Sequence, residues 1–150
     1  MEIRAVRASD VPAVTELVAT TLAEFGLTFG IGAPTDEQLR GLPASYESGA
    51  FWVAFEGDAL LGTAGVFPVA PETFELRKMY LRPEARGTGI GKRLLDQAIT
   101  WSREHGGRLL VLDTVEAMTA AIAFYERHGF VRDDTQRRGS RCTRGYALRL

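Results

Sequence analysis

Between Leu76 and Arg93 the chain reads LRKMYLRPEARGTGIGKR: an apolar and basic run, a proline, then Arg86-Gly87-Thr88-Gly89-Ile90-Gly91-Lys92 at the opening of a helix. The chemistry these residues offer is anion binding. Glycines let the backbone take positive φ and approach a ligand without a Cβ in the way, and the first N–H groups of a helix have no intrahelical acceptor. They point outward with the positive end of the helix dipole, so the segment is a candidate clamp for a diphosphate. The spacing excludes the commonest diphosphate sites. A Walker loop, G-x-x-x-x-G-K-[S/T], would need glycine at Arg86 and a hydroxyl at Arg93. The dinucleotide fingerprint G-x-G-x-x-G would need glycine at Lys92 or at Leu94, depending on the register. A glycine turn that merely lets the chain enter a helix is the structural alternative.

The elements that must position this turn can be read from periodicity. Ile3 to Val6 makes a short strand, and Ser9 or Asp10 caps a helix carrying Val11, Val14, Leu17, Val18, Leu22 and Phe25 at helical spacing, with Pro12 in its first turn. Gly26 to Pro34 is irregular and reads as a binding loop. Thr35 to Leu42 reads as a short helix with Thr35 and Gln38 in capping-box relation. Ala50–Glu56 and Ala59–Val69 are strands joined at Gly57-Asp58, and Thr73–Leu81 is a third antiparallel strand. The glycine turn then opens a helix from Gly89 to about His105, ended by Gly106-Gly107, and Leu109–Leu112 is a continuous apolar strand. A last helix carries Met118, Ala121, Ile122 and Tyr125 and stops at His128-Gly129, before strands near Phe130–Arg132 and Cys142–Leu150. Strand, turn, helix and strand in series imply a right-handed crossover between parallel neighbours, with ligands at the strands' carboxyl ends.

The 150 residues, 45% apolar and 25% charged, suit one globular domain spanning 1–150, and a formal net charge of −1 forecasts no nucleic-acid partner. The N-terminus lacks a signal-like apolar region and no stretch approaches the ~20 apolar residues of a membrane span, so a cytoplasmic protein with no membrane partner is expected. A lone cysteine, Cys142, forms no internal disulfide, and two isolated histidines, His105 and His128, make no metal site. Arg137, Arg138, Arg141 and Arg144 read as a solvated hairpin face that could alternatively attract an anionic acceptor such as an acidic amino acid or peptide.

Two motifs together resemble the GNAT superfamily of acyl-CoA-dependent N-acyltransferases. Arg86-Gly87-Thr88-Gly89-Ile90-Gly91 fits that family's R/Q-x-x-G-x-G/A helix start, and Ala121-Ile122-Ala123-Phe124-Tyr125-Glu126-Arg127-His128-Gly129-Phe130 fits its A-x-x-x-Y-x-x-x-G-F helix and strand. The resemblance runs from about Leu60 to Phe130. It implies a mixed, mostly antiparallel sheet of about seven strands (α/β, or α+β), helices on both faces, and a parallel pair that splays at the cofactor site. It also implies acetyl-CoA as acyl donor, with no metal. The pyrophosphate would lie on the backbone of Gly87, Thr88, Gly89, Ile90, Gly91 and Lys92 after Arg86. The pantetheine would lie beside Met79, Tyr80 and Leu81, and an N–H near Met79 could steady the oxyanion, a contribution of about 3 kcal/mol.

Tyr125, matching the family's tyrosine, is the candidate general acid, since a phenol of pKa ~10 is protonated at neutral pH. An ammonium acceptor must lose a proton before attack, and Glu75 is the favoured base, with Glu72, Asp113 or a water chain behind it. Simple alternation would put Glu75, Arg77, Met79 and Leu81 on one face, unless a bulge changes the parity. Glu75 paired with Arg77 or Lys78 is its structural alternative. Many family members have Asn where this chain has Met118, which puts that pantetheine contact in doubt; Thr114 or Thr119 could supply a hydroxyl, or simply cap a helix. Cys142 reads as a small buried hydrophobe, and Trp52 and Trp101 as core or interface aromatics. The expected activity is direct acetyl transfer to a primary amine of a small molecule or peptide, by a chain that could form a homodimer. The alternatives are a catalytically silent acyl-CoA-binding module of the same fold and a nucleotide site unrelated to CoA.

Overall fold

The computed structural model describes residues 1–150. Its strands are β1 (Glu2–Ala5), β2 (Ala50–Glu56), β3 (Ala59–Ala70), β4 (Thr73–Leu81), β5 (Leu109–Thr114), β6 (Val131–Arg132) and β7 (Arg144–Arg149). Its helices are α1 (Val11–Glu24), α2 (Ile90–Glu104) and α3 (Thr119–Arg127). The strands form one seven-stranded sheet in the order β1-β2-β3-β4-β5-β7-β6. Every pairing is antiparallel except β4 with β5, the parallel pair expected from the crossover through α2.

Apolar side chains cover both faces. On one, Leu94, Leu95 and Ala98 of α2 and Ile122 and Tyr125 of α3 pack on Phe74 and Leu76 of β4 and on Leu110 and Leu112 of β5. On the other, Val14, Leu17, Val18 and Leu22 of α1 pack with Leu39, Tyr46, Phe51 and Val53. The short helix expected over Thr35–Leu42 is a 3₁₀ segment over Pro34–Gly41 with Leu42 as its C-cap, and its N-cap is Ala33, so no Thr35 capping box forms. Within it the Asp36 carboxylate turns inward, to Lys78, Arg141 and the Gly30 N–H. Asp10 likewise accepts from the Arg7 N–H at 2.8 Å and from Arg4, closing a 3₁₀ turn that precedes α1.

Two irregularities shape the centre of the sheet. First, β4 and β5 pair only over Thr73–Glu75 and Leu109–Val111. Beyond Glu75 the two strands part, while β4 stays on β3 as far as Leu81 and β5 stays on β7 as far as Thr114. Second, Thr63 faces Tyr80 while Gly65 faces Arg77, so β4 carries one residue more than β3 there. That extra residue is a β-bulge at Lys78, whose φ is +53°, an uncommon conformation for a side chain with a Cβ. The Thr63 hydroxyl donates to the Lys78 carbonyl at 2.7 Å and satisfies the oxygen that the bulge displaces from the ladder.

The bulge corrects the alternation expected from the sequence. Phe74, Leu76, Met79 and Leu81 pack toward α2. Arg77 meets Gln38 and Phe67, Lys78 meets Asp36, and Tyr80 packs toward α1. Glu75 and Arg77 therefore do not share a face with Met79 and Leu81. Since α2 holds the glycine turn against the sheet through Leu94, which is fully buried, Leu94→Ala should cost about 2–5 kcal/mol. Urea unfolding should show a lower midpoint at unchanged slope.

Candidate active site

The glycine turn begins where β4 ends. Pro83–Ala85 forms a 3₁₀ turn, Gly87 and Gly89 take φ of +74° and +91°, and Gly89 is the N-cap of α2. The first backbone bond of the helix is donated by Arg93 to Gly89 at 3.1 Å, so the N–H groups from Gly87 to Lys92 precede the ladder. A Cβ at Gly87 or Gly89 would meet nothing within 4 Å. The space over these N–H groups is therefore open, and glycine is required there by φ. Gly91 is a different case, because its Cβ would lie 3.2 Å from Leu81 Cδ1 and 3.6 Å from the Phe124 ring. It is a packing glycine that lets α2 approach β4 and α3.

Side chains lock the turn in position. Arg86 makes a bidentate pair with Glu24 of α1, both bonds 2.9 Å, and also donates to the Leu81 carbonyl. Arg82 pairs with Glu16 and donates to the Leu60 carbonyl at 3.1 Å. Thr88 Oγ1 donates to the Ala85 carbonyl, and Lys92 bonds Asp96 at 2.7 Å. Arg86 is thus a strap between the turn and α1, and the N–H groups from Gly87 to Lys92 are left without a backbone acceptor.

The glycine turn lies at the end of β4 toward which the gap between β4 and β5 opens. Tyr125 is buried on α3 among Phe124 and Phe130, whose rings lie 5.7 Å and 5.6 Å from its own. Its hydroxyl makes no hydrogen bond within the protein. Burial, with the Tyr80 phenol nearby, pushes its pKa well above the ordinary value of 10.0, so it stays protonated and able to donate. Burial likewise pushes Tyr80 up to about 12, against the pull of Arg141.

On the α1 face of β4 the residues are ionic. Glu75 is 4% exposed. Its Oε1 accepts from Arg77 Nε at 2.5 Å, the pairing read as its structural alternative, while Oε2 is buried without a hydrogen bond and lies 3.6 Å from Arg138 Nη1. Tyr46 Oη, on the same side, is also buried and unpartnered, and burial raises its pKa to about 12. Asp36 is 0% exposed and accepts from Lys78 Nζ, from Arg141 Nη1 and Nη2 at 2.8 and 3.0 Å, and from the Gly30 N–H at 2.7 Å. Burial alone would raise the Asp36 pKa, but Arg141 and Lys78 outweigh it and hold the carboxyl below its ordinary range. Burial pulls the Lys78 ammonium below its ordinary value despite Asp36.

Asp36, Lys78 and Arg141 did not stand out in the sequence as one group. They are separated by 42 and 105 positions from Asp36, and only the fold joins them. The available signals were the position of Asp36 after the irregular glycine loop and of Arg141 within the basic hairpin. Asp113 holds that hairpin, accepting from the Arg138 and Gly139 N–H groups at 2.7 Å each. It is a loop anchor, separate from the Glu75 carboxylate. Thr114 Oγ1 is engaged with Met118 Sδ at 3.7 Å, and burial followed by Asp113 raises the Cys142 thiol to about 12, which keeps it a poor nucleophile. Glu72 pairs with Arg108 at 2.7 Å, at the opposite end of β4 from the glycine turn.

A family model described as Acetyltransferase (GNAT) family matches residues 17–130. The "Uncharacterized N-acetyltransferase YjgM" of Escherichia coli strain K12 is 35% identical over 128 residues, covering 81% of this chain and 76% of that protein. An acetyltransferase of the GNAT family from Staphylococcus aureus Mu50 superposes with a TM-score of 0.88 at 23% identity, over 99% of this chain and 98% of that one. The PaiA N-acetyltransferase of Thermoplasma acidophilum, solved in complex with coenzyme A, superposes with a TM-score of 0.78 at 22% identity over 99% and 98%. The shared architecture includes the mixed sheet with its parallel β4–β5 pair. No helix is long and apolar enough to cross a membrane.

Replacing Asp36 by Asn leaves Lys78 and Arg141 buried without their carboxylate, and should cost about 3–5 kcal/mol in urea unfolding. Because the folded pKa of Asp36 is lowered, its stabilisation is complete above its unfolded pKa of about 3.9 and is lost as pH falls through the folded value. The wild type should therefore lose stability more steeply than Asp36→Asn as pH falls below about 4.

Proposed function

The chain belongs to the GNAT family of acetyltransferases, and from that membership we propose that it moves an acetyl group from acetyl-CoA directly onto a primary amine, within a ternary complex and without a covalent enzyme intermediate. The observation that carries this reading is the run of unladdered N–H groups from Gly87 to Lys92, set at the end of β4 where β4 and β5 part. Those donors suit the pyrophosphate of CoA, and the open space at Gly87 and Gly89 leaves room for it. The edge of β4 from Met79 through Tyr80 to Leu81, left by β5, suits the amide groups of pantetheine as an added strand. An N–H at Met79, just past the bulge, is a preorganised donor for the tetrahedral oxyanion.

Two groups then carry the protons. The amine nitrogen attacks the thioester carbonyl, forming the C–N bond, and its proton passes to Glu75 Oε2 directly or through one water. The C–S bond breaks and the CoA thiolate takes the proton of the Tyr125 hydroxyl, which solvent restores. The unpartnered state of Glu75 Oε2 supports the first assignment, and the burial that keeps the Tyr125 hydroxyl protonated supports the second. The acceptor is a small-molecule amine or a peptide. We read 1–150 as one catalytic domain working without metal; a cytoplasmic setting suits its lone Cys142.

Tyr125→Phe should lower kcat by about 100-fold while leaving the Kd for CoA unchanged, measured by thiol release and calorimetric titration. A Tyr125→Phe protein as active as wild type removes the general-acid role, and CoA binding without turnover on any amine supports the silent module instead. Gly89→Val should abolish CoA binding, because valine is strained at φ +91° and its side chain fills the open space over the N–H groups. Glu75→Gln should depress the rate at neutral pH and recover toward the wild type as pH approaches the amine pKa of about 10, where the acceptor deprotonates itself. A pH profile parallel to the wild type would reject Glu75 as base.

A further inference from the structure

We propose that the acceptor carries a carboxylate as well as its amine, and that Lys78 and Arg141 receive that carboxylate at the bulge of β4. The inference rests on the acetyl-transfer reading and specifies the acceptor at the same site. Its first support is charge. Lys78 and Arg141 share a single carboxylate, Asp36, with side-chain exposures of 5%, 11% and 0%, so a buried group of three ions holds a net positive charge. Uncompensated buried charge is costly, and the site is completed by an anion.

The second support is donor capacity. An ammonium has three N–H donors and Lys78 spends one on Asp36; a guanidinium has five, and Arg141 spends one from each terminal nitrogen on Asp36 and offers a long 3.4 Å bond to the Ile31 carbonyl. The other cations on this face are Arg77 and Arg138, both beside Glu75. The remaining carboxylate nearby, Asp113, is committed to the N–H groups of Arg138 and Gly139. Glu37, next to Asp36, pairs with Arg40, and no carboxylate other than Asp36 bonds Lys78 or Arg141.

The third support is the opposite pole. Glu75 Oε2, also buried, lacks a hydrogen-bond donor and stands on the same face of β4, so an ammonium fits there. One face of the strand thus presents an acceptor for an amine and donors for an anion, side by side, with the bulge and the Met79 N–H beside them. A molecule with both groups is held at both ends, which orients the amine toward the thioester. A neutral or purely cationic amine leaves the Lys78 and Arg141 donors unspent.

The test compares glycine, β-alanine and 4-aminobutyrate with their carboxamides as acceptors, with rates referred to the free-base amine, in wild type, Lys78→Met and Arg141→Gln. Each variant leaves Asp36 with the other cation and the Gly30 N–H, so the fold persists, and melting temperature and CoA Kd report on it directly. The wild type should favour at least one carboxylate over its carboxamide by tenfold or more in kcat/KM. Both variants should bring that ratio toward one, chiefly through KM, with CoA Kd within twofold of wild type. No preference, a preference for carboxamides, or an equal loss on both members together with weakened CoA binding would overturn the proposal. If no amine is acetylated, the same probes are titrated into the CoA-bound protein. Carboxylate binding lost in Lys78→Met keeps the anion site and rejects acetyl transfer, and no carboxylate binding rejects the anion site.

Discussion

One extra residue in β4 governs the centre of this protein. Because strand side chains alternate with a period of two, inserting Lys78 at positive φ turns every later residue of β4 to the opposite face. Met79 and Leu81 are thereby packed against α2, while Lys78 and Tyr80 look toward α1. The bulge also falls where β4 leaves β5, so the free backbone edge and the change of face occur within a few residues of each other. Without the bulge, Tyr80 would replace Leu81 on the α2 face, and Lys78 would point away from Asp36.

The cost of holding a lysine in that conformation, of order 1–3 kcal/mol, must be offset by its surroundings. The Thr63 hydroxyl takes the displaced carbonyl, and Asp36 takes the ammonium. Arg141 then joins the same carboxylate from the hairpin before β7, so two loops distant in sequence, around Gly30–Asp36 and Arg138–Arg141, close over β4. Asp113 at the end of β5 fixes the second loop from below. The glycine turn is braced separately, by Arg86 on Glu24 and Arg82 on Glu16, both from α1. The glycine turn and the cluster of Asp36, Lys78 and Arg141 thus both adjoin one strand and are braced by different ion pairs.

Much of this was legible in the chain. The bounds of β4, the parallel relation of β4 and β5, and the helix entry at Gly89 follow from periodicity, from the turn glycines and from the handedness of crossovers. Gly87 and Gly89 carry the conformational meaning that their motif suggests, whereas Gly91 serves packing, a distinction that depends on Leu81 and Phe124. The parity of β4 was not legible, because neither Arg77 nor Lys78 is a glycine or proline that would mark a bulge. Asp36 was not singled out, for a related reason. Its local context, Thr35 to Gln38, has the form of a helix start, and its partners at Lys78 and Arg141 are reached only through tertiary structure. Local signals decide elements well; a buried charge declares itself only with its counter-ions.

The central claim is that a CoA thioester lies along the free edge of β4 and ends on the N–H groups of the glycine turn. Amide hydrogen exchange with and without acetyl-CoA measures those N–H groups themselves. Protection on binding should concentrate in Met79–Leu81 and Gly87–Lys92, with the apolar groove between Pro43, Phe51 and Trp101 unchanged. Protection confined to that groove, or none in Gly87–Lys92 at saturating acetyl-CoA, would contradict the account.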